Sequence, residues 1–176
     1  MLNQFTFEAQ DAVAAPPLLI AHGLYGSARN WGVMARWLSI NRRVITVDMR
    51  NHAGSFWDND HSYEALGAEL AEVSTQEGPM DVIGHSMGGK AARVAALEGA
   101  AITRLVVADI APVFYHLCHL AMIDAMRSVD LSTIQSRTDA DLRLAESVDE
   151  KSVRAFLLQS LDMKTKTWKL FEANYS

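Results

Sequence analysis

The feature that most constrains this chain is the pentapeptide GHSMG at 84–88, which follows the apolar run 80–83 directly. The residues after it, 89–97, are rich in alanine and favour a helix. A strand, a tight turn centred on Ser86 and a helix are therefore expected in immediate succession. This is the context in which G-x-S-x-G forms a strained turn that exposes a serine hydroxyl at the sheet edge. Helix amides beneath that hydroxyl favour negative charge. Without this context, Ser86 would be read as an ordinary helix cap in a glycine-rich turn.

A second glycine-flanked loop supports this interpretation. The short apolar segment 17–21 is a strand candidate, and HGLYGS at 22–27 follows it. Such a loop is usually an ordinary turn, but it can also direct backbone N–H groups into a cleft. Together with the Ser86 turn, it suggests an oxyanion hole formed by the amides of Leu24 and Met87.

Four blocks of the sequence resemble α/β-hydrolase-fold serine esterases: HGLYGS (22–27), VDMRNH (47–52), GHSMGGK (84–90) and ADIAPV (108–113). The resemblance extends from about residue 15 to about residue 170 and is greatest to short-chain, acyl-CoA-type carboxylesterases. It implies that Ser86 is the nucleophile, Asp109 the triad acid, and Leu24 and Met87 the oxyanion donors. It also implies catalysis through an acyl-enzyme on small to medium acyl esters or thioesters, with no cofactor and no metal.

The sequence departs from this family in two places. Residues 51–55 read NHAGS, so Ala53 stands where the family usually has glycine directly after the histidine. The family's triad histidine lies well beyond Asp109, and no residue here maps onto it, so we expect a C-terminally truncated hydrolase that ends at Ser176 and lacks the last strands and helix of the fold. His116 or His119 is a candidate substitute base. Both also flank Cys118, but H-x-C-H without a fourth ligand is weak evidence for zinc.

Asp109 and the remaining histidines also have plainer interpretations. Asp109 ends an apolar run, where functional residues of open α/β sheets collect, but it could simply cap the next turn. Asp48 ends a strand at the same edge and is expected to be structural. We expect His22 to brace the oxyanion loop and His85 to point away from Ser86 by strand alternation. The other two, His52 and His61, are expected to be solvated in polar loops.

The composition indicates a globular protein. The chain has 176 residues, of which 49% are hydrophobic, and a net charge of −5. Without a basic run, this charge argues against binding to nucleic acid or to an anionic membrane. A single cysteine and the absence of a signal-like or membrane-spanning segment favour a cytoplasmic location.

Apolar strands that alternate with amphipathic helices predict an α/β fold, a mostly parallel sheet with helices on both faces. Strands are expected at 4–9, 18–21, 44–47, 81–84 and 102–108, and helices at 28–38, 62–73, 117–126, 140–145 and 153–161. In the helix predicted at 28–38, one side carries Trp31, Met34 and either Trp37 or Leu38. Residues 163–170 are expected to form a weak strand or a loop. The predicted domains are a hydrolase core at 1–111, a helical cap at 112–163 and a short C-terminal segment at 164–176.

Two functions follow as hypotheses. The first is a serine carboxylesterase that acts on small acyl esters or thioesters and is weakened by the unassigned base. The alternative is an inactive scaffold that binds an acyl ligand or a protein partner. Because apolar strand edges associate, we also expect either a homodimer through an exposed sheet edge or an aggregation-prone monomer.

Overall fold

The computed structural model describes residues 1–11, 15–110 and 120–168. Residues up to 110 form one compact unit, and residues 120–168 belong to a second. The first unit contains strands β1 (Asn3–Phe7), β2 (Leu18–Ala21), β3 (Val44–Asp48), β4 (Met80–His85) and β5 (Ile102–Ala108), with helices α1 (Gly32–Leu38), α2 (Tyr63–Glu77) and α3 (Met87–Leu97). A 3₁₀ turn, Ala28–Trp31, precedes α1.

The five strands form one sheet in the order β1-β3-β2-β4-β5. All neighbours are parallel except β1, which runs antiparallel to β3 at one edge. Every residue of β2 and β3 is buried, as expected of strands covered on both faces. The predicted mostly parallel α/β fold is confirmed.

Side-chain alternation along the strands separates two apolar clusters. Leu19 and Ala21 of β2 pack with residues of α2 and α3, whereas Leu18 and Ile20 pack with Ala35 of α1. The two sets point to opposite faces of the sheet because successive side chains alternate. Helices therefore cover both faces, as predicted.

The predicted helix at 28–38 differs from the observed one in its buried side. The segment is a 3₁₀ turn followed by α1, and its fully buried residues are Ala28 and Ala35. Trp31 and Leu38 pack beside the core, but Met34 and Trp37 are 47% and 67% exposed. The alternative with Leu38 is the one that packs with Trp31, whereas Met34 does not share that side, because the small side chain of Ala35 lets the helix approach the sheet closely.

The second unit contains helices α4 (Leu120–Ser128), α5 (Arg137–Leu144) and α6 (Lys151–Leu157) and a hairpin of β6 (Leu161–Asp162) and β7 (Thr167–Trp168). The Trp168 indole donates to the Met126 carbonyl, 3.0 Å away, and joins the hairpin to α4. The predicted domain boundary at 163/164 falls between the two strands of this hairpin, and the cap assignment stays a prediction. None of the helices described is long and apolar enough to cross a bilayer.

Candidate active site

Ser86 occupies a sharp turn between β4 and α3. Its backbone angles are φ 50° and ψ −116°, a region that residues with side chains rarely adopt. Two sets of hydrogen bonds hold it there. The Ser86 amide donates to the Ala108 carbonyl at the end of β5, 2.9 Å away, and the Ser86 carbonyl accepts from Gly89 and Lys90 in the first turn of α3. Strain of this kind, imposed by the surrounding structure, is common at functional sites.

The glycines on either side of Ser86 are required by close backbone approach. A Cβ atom at Gly84 would lie 2.5 Å from the Gly88 carbonyl oxygen, because α3 turns back over the end of β4. A Cβ atom at Gly88 would lie 2.5 Å from the His22 carbonyl oxygen and 2.6 Å from that of Ala21. Only glycine fits at either position, so α3 can begin directly against the ends of β2 and β4.

His22 fixes the loop that follows β2. Its side chain is buried; Nδ1–H donates to the Gly23 carbonyl (2.7 Å), and Nε2 accepts from the Met49 amide (3.0 Å). These two bonds select the neutral tautomer with the proton on Nδ1. Burial lowers the pKa of His22 to about 4, so the ring stays neutral at pH 7. His22 braces the loop, as predicted.

This loop lies directly against Ser86. The position that a Cβ atom would take at Gly23 is 3.0 Å from Ser86 Cβ, and the Gly26 amide donates to the Gly23 carbonyl to close the turn. Among the described residues, neither the Leu24 amide nor the Met87 amide has a hydrogen-bond partner. Their role as oxyanion donors stays a prediction.

Asp109 follows β5 at the same end of the sheet. It has a left-handed backbone (φ 60°), and its side chain is 82% exposed. Its Oδ2 atom lies 3.4 Å from Nε2 of His85, the residue before Ser86. Because β4 and β5 are parallel and His85 pairs with Ala108, the sheet register brings Asp109 close to the serine turn.

His85 lies against the loop after β2. Its Nδ1 atom would lie 2.8 Å from a Cβ at Gly23. The centroid of the Trp31 ring is 6.1 Å from that of the His85 ring. That the His85 side chain points away from Ser86 stays a prediction.

His52 is buried, contrary to the prediction, and His61 is only partly exposed. His52 is 1% exposed, and its Nδ1–H donates to the Arg50 carbonyl, 2.8 Å away. Its ring packs 5.0 Å from that of His22, and burial lowers its pKa to about 3. His61 is half-buried, and burial also lowers its pKa. The loop after β3 folds inward and encloses the His52 ring.

A buried ion pair anchors this loop and was not found from the sequence. The guanidinium of Arg50 donates through Nε to Glu69 Oε1 of α2, 2.7 Å away, and both residues are at least 90% buried. This contact raises the pKa of Arg50. The only signal in the sequence is a lone glutamate on the apolar side of α2, beside Leu66 and Leu70.

Asp48 has the structural role that we predicted. Its Oδ1 atom accepts from the Ala28 amide (2.7 Å), and Oδ2 accepts from the Asn3 side chain (2.7 Å) and the Gly54 amide (3.1 Å). One buried carboxylate thus links β1, the turn before α1 and the loop after β3.

The remaining candidates, His116, Cys118 and His119, lie outside the described residues. Within 1–11, 15–110 and 120–168, no three His, Cys, Asp or Glu side chains are grouped so that they could hold a metal ion.

Comparisons with known proteins agree with this geometry. A family model described as "Alpha/beta hydrolase family" matches residues 18–172. The chain is 39% identical to the esterase YbfF of Escherichia coli over 90% of its own length and 64% of that protein. It is 40% identical to the mouse sn-1-specific diacylglycerol lipase ABHD11 over 83% and 51%, respectively. A solved structure named as a marine microorganism esterase superimposes with a TM-score of 0.85 at 34% identity, over 97% of this chain and 68% of that one.

The chain thus spans about half to two thirds of the length of the curated relatives it matches. Because the family model matches most of the chain, and the sheet, the serine turn and the glycine contacts agree with it, the chain belongs to the alpha/beta hydrolase family.

Proposed function

We propose that this chain carries the nucleophile, the acid and the oxyanion donors of a serine carboxylesterase that acts on small to medium acyl esters or thioesters. The observation that carries the proposal is the strained Ser86 between β4 and α3, with the Leu24 and Met87 amides beside it. A hydroxyl held at the start of a helix, next to two N–H groups, suits acyl transfer, in which negative charge develops on one oxygen.

The proposed reaction begins when Ser86 Oγ attacks the acyl carbonyl carbon. The amides of Leu24 and Met87 stabilise the resulting oxyanion, and each such donor typically contributes about 2.7–4 kcal/mol to transition-state stability. A histidine base takes the serine proton and returns it to the leaving alcohol or thiol. Water then releases the acid from the acyl-enzyme.

Asp109 is proposed to orient that base. Its exposed carboxylate, at the same sheet end as Ser86, supports this role. The base itself is not assigned, and His116 and His119 remain candidates. The relatives support the ester class, since one is named an esterase and another a diacylglycerol lipase.

The test is hydrolysis of p-nitrophenyl butyrate by the chain, together with labelling by a fluorophosphonate that is located by mass spectrometry. We expect Ser86→Ala to abolish labelling and to lower kcat by a factor on the order of 10³ or more. The exposed serine variant Ser132→Ala is the matched control and should leave both unchanged.

Two further variants test the base. If His116 or His119 accepts the proton, replacing that residue with Gln abolishes turnover but leaves the fold intact. Absence of both turnover and labelling in folded wild-type protein would refute the esterase proposal and favour the scaffold that binds an acyl ligand or a protein partner.

A homodimer through the β5 edge also remains a proposal. Among the described residues β5 pairs only with β4, and Val106 near its end is 54% exposed. Light scattering should give the dimer mass for wild type and the monomer mass for Val106→Lys, because a charged side chain blocks strand association. A monomeric wild type would refute this proposal.

A further inference from the structure

The outward side of residues 28–40 is both apolar and basic. At about 100° per residue, Val33, Arg36 and Trp37 of α1 fall within one arc of about 100°, opposite the buried Ala35. Arg29, in the 3₁₀ turn before α1, and Ile40, just after the helix, are exposed as well. These positions, called here the α1 outer face, are Arg29, Val33, Arg36, Trp37 and Ile40, and all five are exposed. Val33 and Trp37 are 76% and 67% exposed. An exposed tryptophan among aliphatic side chains marks a surface that contacts something else.

The charge around this face is the opposite of that of the whole chain. Residues 28–43 contain four arginines and no Asp or Glu, in a chain with net charge −5. Arg42 and Arg43 are neutralised by Asp81 and Glu77, each at 2.6 Å. Among the described residues, Arg29 and Arg36 form no ion pair.

Two further acidic residues approach this region. Asp11 lies beside the far end of the face, where its amide donates to the Ile40 carbonyl, 3.2 Å away. At the other end, the buried Asp48 carboxylate accepts from the Ala28 amide, 2.7 Å away, but among the described residues it forms no ion pair with Arg29 or Arg36. Apolar and aromatic side chains interleaved with arginine are typical of helices that lie in the interface of an anionic bilayer.

We propose that the α1 outer face binds anionic lipid surfaces, a local exception to the expectation from the net charge of −5 of the whole chain. The side chains of Val33, Trp37 and Ile40 enter the headgroup region, and Arg29 and Arg36 contact lipid phosphates. A second copy of the chain fits this face less well, because a two-fold contact through it would place the arginines of both copies together. Lipid binding itself does not depend on the proposed esterase activity and is measured separately from it.

The test is co-sedimentation of the chain with vesicles of phosphatidylcholine, with and without phosphatidylglycerol. We expect binding to the anionic vesicles that weakens with salt. Each arginine near an anionic leaflet strengthens binding about fivefold, so Arg29→Gln with Arg36→Gln should reduce the partition coefficient about 30-fold. Trp37→Ala should also reduce it.

Matched controls distinguish binding through this face from nonspecific binding by exposed apolar or basic side chains elsewhere. Leu97→Ala removes an equally exposed apolar side chain, 84% exposed at the end of α3, and Arg143→Gln removes an exposed arginine of α5. Neither should change binding, and melting curves should show all variants folded. The proposal is overturned if wild type does not sediment with anionic vesicles, if the controls lower binding as much as Trp37→Ala, or if Trp37→Ala instead dissociates a protein dimer and leaves lipid binding unchanged.

Discussion

Replacing Ala53 with glycine should stabilise the protein. Ala53 lies in the loop after β3 with φ 45°, a left-handed conformation that costs a residue with a Cβ about 1–2 kcal/mol. Its methyl group is exposed, so little packing is lost on removal. Glycine adds entropy to the unfolded chain worth about 0.4–1 kcal/mol. The net expectation for Ala53→Gly is a rise of about 0.5–1 kcal/mol in the free energy of unfolding.

Urea unfolding followed by circular dichroism measures this change. With a slope near 2 kcal/mol/M, the midpoint should rise by about 0.3–0.5 M at unchanged slope. Ala96→Gly is the matched control, because Ala96 is exposed within α3 and its replacement should lower stability by about 0.5–1 kcal/mol. If both substitutions lower stability alike, the left-handed strain at Ala53 is refuted.

At the adjacent position, Gly54, we expect a substitution to destabilise the protein. A Cβ atom at Gly54 would lie 2.6 Å from Nδ2 of Asn3, which is hydrogen-bonded to Asp48. Gly54→Ala should therefore destabilise the protein, because the Asn3 side chain must move from its acceptor. The loop thus holds its glycine one position away from the residue with the left-handed backbone.

Three further predictions follow from the site. Because burial holds the pKa of His22 near 4 and that of His52 near 3, below the ordinary 6.5, the unfolded chain binds more protons in acid. The free energy of unfolding should be highest above about pH 6.5 and should fall as the pH drops toward 4. It should fall less steeply in His52→Gln if that variant folds. A free energy that does not change with pH in wild type would contradict the burial of both rings. Arg50→Ala should lower the free energy of unfolding by about 3–5 kcal/mol, because it leaves a buried Glu69 carboxylate unpaired. Combining Arg50→Ala with Glu69→Gln should recover part of that loss in the same urea assay. Gly88→Ala should lower ester hydrolysis far more than the exposed Ala96→Gly, because its Cβ meets two carbonyl oxygens at the end of β2; equal activities would argue against that close approach.

The sequence was most informative where structure depends on neighbours along the chain. The buried strands and the turn at Ser86 follow from apolar runs and from G-x-S-x-G, since backbone conformation and glycine contacts are decided within a few residues. The structural role of Asp48 and the bracing role of His22 followed from their places at strand ends. These features needed no knowledge of distant contacts.

The predictions that failed depend on contacts between distant parts of the chain. His52 is buried and His61 half-buried because Arg50 anchors the loop after β3 to Glu69 on α2. No local pattern encodes that contact. The face of α1 was misjudged because this helix has apolar residues on two sides, and only the sheet determines that Ala35 faces inward.

The single carboxylate of Asp48 has a consequence for motion. It accepts hydrogen bonds from β1, from the turn that leads into α1 and from the loop after β3, segments that are far apart in sequence. Oδ1 has the Ala28 amide as its donor, so the turn before α1 cannot open without leaving a buried oxygen unpaired, whereas Oδ2 keeps one donor if either β1 or the loop after β3 opens alone. The amide of Ala28 should therefore exchange with deuterium more slowly than that of Gly54, and the turn before α1 should be the last of the three segments to open.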